Sequence, residues 1–82
     1  MGEVSEAVIT LVRMYVILSR VKVLKPSVAE FIKMCNDVGV GPDKLIGYID
    51  IKPGGVITVN NDGEEFLKRI QELMRLGVTT HG

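Results

Sequence analysis

The chain has little with which to do covalent chemistry. Its 82 residues include one cysteine, Cys35, one histidine, His81, and no tryptophan. A single cysteine excludes an internal disulfide and any Cys-based zinc site, which makes a reducing, cytoplasmic setting the expectation. Cys35 lies on the apolar side of its segment with no histidine in sequence reach, the setting of a buried structural thiol. His81 stands beside the C-terminus, where a general base would lack an orienting partner. No enzyme, cofactor or metal site is expected. An excess of charge is also missing, since ten Lys and Arg balance ten Asp and Glu. Nucleic-acid binders usually carry a basic excess, because phosphate neutralisation supplies much of their affinity. The mild positive bias here lies in Arg13, Arg20, Lys22 and Lys25, against Glu3 and Glu6. A long apolar run is absent too. Arg13 and Arg20 interrupt the first third before about 18 apolar residues accumulate, and Glu3 and Glu6 stand where a signal peptide would carry basic residues. No membrane association is expected.

What is present describes one small globular domain, residues 1–82, with 77–82 as a flexible tail. Abundant valine and isoleucine, with Gln71 as the one glutamine, would suit a thermophile. From Ser5 to Arg20 the polar residues Glu6, Thr10, Arg13 and Arg20 step by helical spacings and form one narrow stripe. The rest of that helix is apolar, over more than the roughly 100° an exposed helix needs. The excess predicts a homodimer through this helix, with Leu11, Val12, Tyr15 and Val16 at the interface. Val21–Lys25 is short and β-branched, and Pro26 follows, so a short strand is expected there. Ser27 and Glu30 form a capping box that opens a second helix, and Gly39 suits its left-handed end. Pro42 and Asp43 open a third helix, kept short by Gly47, which costs about 1 kcal/mol relative to alanine. The dipeptide Pro53-Gly54 predicts a hairpin with strands near 49–52 and 56–60. Asp62 and Glu65 read as a second capping box, with Phe66, Leu67, Ile70, Leu73 and Met74 at helical spacing and Gly77 as the stop.

Two motif readings fail on spacing. A calcium loop around Asp62–Gly63 would place Thr58 and Arg69 at essential ligand positions. "GVGPDK" completes neither the dinucleotide nor the Walker pattern.

The order helix–strand–helix–turn–helix–hairpin–helix resembles the winged helix-turn-helix superfamily, an α+β fold, over nearly the whole chain. The residues that carry the resemblance run from Phe31 to Asp50. Cys35 is the small residue at the helix crossing and Gly39 the turn glycine four positions on. Met34, Val38, Val40 and Leu45 fill the apolar positions around them. The resemblance implies a DNA-binding transcriptional regulator, with double-stranded DNA as partner. Lys44 would then lie on the recognition helix, with Lys25 and Lys52 contacting phosphates. The outward positions of that helix are Gly41, Asp43, Lys44, Gly47 and Asp50, which include two acids and no Arg, Asn or Gln for bidentate base reading. Near-neutral charge favours the alternative, a winged-helix adaptor that binds protein through its first helix.

Overall fold

A computed structural model describes residues 5–81, with side chains placed up to residue 76. Helix α1 (Glu6–Leu24) starts at Ser5, whose hydroxyl accepts the Val8 N–H at 3.3 Å. Its core stripe is Met14, Ile17, Leu18 and Val21, spaced by three and four residues. This stripe overrides the β-branched signal of Val21–Lys25. Val21 is fully buried as the last member of the helical face, so the segment is helix and not the expected strand. Lys25 ends α1 in the left-handed conformation (φ 49°, ψ 62°), its N–H bonded to the Val21 carbonyl, and Pro26 prevents continuation.

The expected strand survives as a single bridge two residues further on. Ser27 pairs antiparallel with Val56, and the Ile57 N–H reaches the Pro26 carbonyl at 2.8 Å. Helix α2 (Val28–Val38) then opens on the capping box anticipated for Ser27 and Glu30, with both reciprocal bonds formed. It ends at Gly39 (φ 92°), where the Gly39 and Val40 N–H groups both reach the Cys35 carbonyl. The chain turns there, and Phe31, Cys35 and Val40 face the α1 stripe in the core.

The segment after the turn departs from expectation. In place of an α-helix from Pro42, two 3₁₀ turns occupy Pro42–Lys44 and Ile46–Tyr48. Leu45 lies between them in the bridge conformation (φ −106°, ψ −6°) and is fully buried, so anchoring it breaks the helical path.

Strands β1 (Ile49–Lys52) and β2 (Val56–Val59) form an antiparallel hairpin in the register Ile49↔Val59 to Lys52↔Val56. Pro53 sets the first turn torsion, and Gly54 and Gly55 supply the positive φ values that close it, with the Gly55 N–H on the Lys52 carbonyl. Ile57 carries the hairpin into the core.

Helix α3 (Asn61–His81) begins earlier than the Asp62–Glu65 box implied. Asn60 caps it, accepting the Gly63 N–H at 2.8 Å. The Asn60 amide donates to the Gly47 carbonyl, and its N–H reaches the Tyr48 carbonyl. One asparagine thus ties the second 3₁₀ turn to the start of α3, and this tertiary anchor selects it over Asp62. Gly77 does not end the helix, whose backbone runs through it to His81. Among the described residues the architecture is α+β: three helices and one two-stranded hairpin.

Candidate functional site

Lys25, Lys52 and Lys44 are all exposed, but they are not gathered in one place. The Ser27↔Val56 bridge aligns Lys25 with Thr58, across from Asp50, while Lys52 pairs with Val56. Lys25 and Lys52 therefore line adjacent depressions on the outer face of the hairpin, which share Thr58 and Val59. Lys44 belongs to neither depression; it ends the first 3₁₀ turn, beside α2. Acids accompany the lysines. Asp50 and Asp62 line the Lys52 depression. Glu64 lines that of Lys25 and is held by Lys22 at 2.9 Å. Lys25 is the sole non-glycine among the described residues with positive φ. Such a conformation is strained, and strain of this kind often marks a functional position.

A second surface lies at the far end of the molecule. Lys22 pairs with Glu64, and the Gln71 amide donates to the Tyr15 hydroxyl at 3.5 Å, so α1 and α3 run antiparallel. Burial in α1 begins only at Met14, and among the residues whose side chains are described the last buried one in α3 is Ile70. The first two turns of α1 and the last part of α3 therefore project together beyond the core, and the molecule measures 46 × 22 × 18 Å. Val8, Leu11 and Val12 stand exposed on the α1 arm, with Leu73, Met74 and Leu76 on the α3 arm. Val12 keeps 49% and Met74 45% of its surface in solvent. Leu11, three residues before Met14, and Met74, four after Ile70, continue the helical stripes that form the core, whereas Val12, two residues before Met14, lies on the opposite side of α1.

Of the four residues expected at an interface, Leu11 and Val12 lie on this free surface. Tyr15 and Val16 are half-buried, and Tyr15 packs against the core. Sequence reasoning missed the α3 contribution. Leu73 and Met74 keep the helical period and so look like core, and Gly77 looks like a stop. The usable signal was the length of the stripe, which exceeds what so small a core can cover.

Cys35 is fully buried, and burial raises its thiol pKa. The side chain of His81 lies outside the described residues. Among the described residues, no group of three or more His, Cys, Asp or Glu side chains is placed to hold a metal ion, and no helix is long and apolar enough to cross a membrane. No family model, curated protein or solved structure matches the chain.

Proposed function

We propose that this chain is a winged-helix-type domain that works as a self-associating protein-interaction module, docking through the projecting arms of α1 and α3. The winged-helix reading is supported by the lateral order of the sheet, in which the Ser27 bridge, β2 and β1 lie side by side and a Pro-Gly turn forms the wing. The association reading rests on one observation: two adjacent arms whose apolar stripes have no core to cover them. Contiguous exposed apolar surface of this kind marks interaction sites, and small chains commonly gain stability by self-association. A second copy is the occupant, because an apolar face repeated about a two-fold axis is complementary to itself. The single buried thiol suits a cytoplasmic setting. Val12→Glu and Met74→Glu each place a charge on one of the projecting arms while leaving the core intact. Light scattering should find each variant at a lower mass than the wild type at the same concentration. A wild-type mass equal to that of both variants contradicts the reading.

A second reading is favoured by Lys25 and Lys52, which share the outer face of the hairpin beside the wing turn. In it, Lys25, Lys52 and Lys44 contact the phosphates of duplex DNA, and dimerisation doubles the footprint. The adjacent acids and the absence of an α-helix after the turn make this phosphate contact without base reading. A salt titration of duplex binding should then give a log–log slope of about −0.9 per phosphate neutralised. Absence of binding at low salt removes this reading and leaves the first untouched.

A further inference from the structure

The hairpin has one covered edge and one open edge. On the covered side, Ile57 points its N–H at Pro26 and Val56 bridges to Ser27. Hydrogen-bonded and non-hydrogen-bonded pairs alternate along an antiparallel ladder. Ile57 turns its N–H away from β1, so its register partner Ile51 turns its own N–H and C=O away from β2. Ile49, two residues back, does the same. Among the described residues nothing hydrogen-bonds to this edge. Ile51 is 63% exposed there, and Asp50 and Lys52 flank it, both exposed.

We propose that β1 pairs antiparallel with β1 of a second copy, about a two-fold axis at Ile51. The two Ile51 residues then exchange both main-chain hydrogen bonds, and their side chains cover each other on one face. On the opposite face, Asp50 of each copy stands across from Lys52 of the other. These are non-hydrogen-bonded positions, where side chains approach most closely. Charge selects this register over the other symmetric ones. An axis at Asp50 sets two carboxylates against each other. An axis at Ile49 sets Asp50 against Tyr48 and Lys52 against Ile46, which belong to a 3₁₀ turn and not to a strand.

The sequence Ile49-Asp50-Ile51-Lys52 thus complements itself in one alignment. Pro53, which has no N–H to donate, confines the pairing to this short strand. The edge contact is accordingly small and adds to the larger apolar face of the arms. Two distinct two-fold faces on one chain build assemblies beyond a dimer, and either face raises the effective concentration for the other.

The test uses the full chain carrying Val12→Glu, which disables the arms and leaves any remaining association to β1. Sedimentation of this protein should show a weak dimer. Asp50→Lys and Lys52→Asp should each weaken it at least tenfold, and the double exchange D50K/K52D should restore it to within about threefold, since opposite charges again face each other. No dimer, or a double exchange no better than the single ones, overturns the proposal. Ile51→Cys checks the register separately. The Cα spacing of a hydrogen-bonded pair, about 5.5 Å, suits a disulfide. Mild oxidation should therefore cross-link Ile51→Cys across the axis and leave Asp50→Cys without a cross-link. Cross-linking through Asp50→Cys alone overturns the Ile51-centred register. Circular dichroism of each variant confirms that the fold is kept.

Discussion

Arg13, midway along α1, donates a hydrogen bond from its guanidinium to the carbonyl oxygen of Gly39 at 3.1 Å. The contact caps the last turn of α2 from a different helix and sets a positive charge at the negative end of the α2 dipole. It links the turn of the helix pair to the helix that carries the proposed interface. An added Cβ at Gly39 would lie 3.3 Å from the Arg13 Nη1, and the backbone there is left-handed. Arg13→Ala should cost about 1 kcal/mol, the worth of one such hydrogen bond. Gly39→Ala should cost about 1–2 kcal/mol from backbone strain. Urea denaturation measures both.

Two glycines should respond in opposite ways. An added Cβ at Gly63 would overlap the Tyr48 carbonyl oxygen and Val59 Cγ1, because α3 passes directly over the backbone that leads into β1. The Tyr48 and Phe66 rings pack nearby at 5.2 Å between centroids. Gly63→Ala should therefore destabilise by about 1–3 kcal/mol, despite the better helix propensity of alanine. Gly47 has open space around it and no positive φ. Gly47→Ala should be neutral or stabilise by up to about 1 kcal/mol through the unfolded chain. Thermal unfolding of the pair separates the two effects.

Asn60 should matter and Asp62 should not. Asn60→Ala removes the α3 cap and the amide bond to Gly47, at a cost of about 1–2 kcal/mol. Asp62→Ala removes only an exposed side chain in the first turn of α3 and should change stability by less than about 0.5 kcal/mol. Equal losses at both positions in chemical denaturation would contradict the assignment of the cap.

The Cys35 thiol should resist modification in the folded protein. Burial raises its pKa and keeps it protonated at neutral pH. Labelling with a thiol-specific disulfide reagent should be slow in buffer and fast in denaturant. The linkage has a definite sign. The raised folded pKa gives a contribution to stability that is fully present below the unfolded thiol pKa and lost as pH rises through the folded one. Cys35→Ala should flatten that alkaline limb.

Local chemistry made much of this fold legible. The Ser27–Glu30 box, the Gly39 turn and the Pro53-Gly54 hairpin each depend on a few neighbouring residues, and the structure has all three where those residues stand. Departures arise where distant contacts decide. Val21 is helical because the core takes it, Leu45 breaks a helix because it is buried, and Asn60 caps α3 because it also holds Gly47. The candidate interface was half legible. Leu11 and Val12 follow from an apolar arc too wide for one neighbour. The α3 arm did not follow, because no local signal says where a core ends while a helix continues.

Hydrogen exchange in the α1 arm tests the central claim most directly. The amides of Thr10 to Arg13 lie in helix α1 beyond the core of a single chain, so on this reading helix pairing between copies adds to the protection that the helix alone gives them. Their exchange should slow as protein concentration rises, and Met74→Glu should abolish that dependence. Fast exchange that is the same at every concentration in the wild type would contradict it.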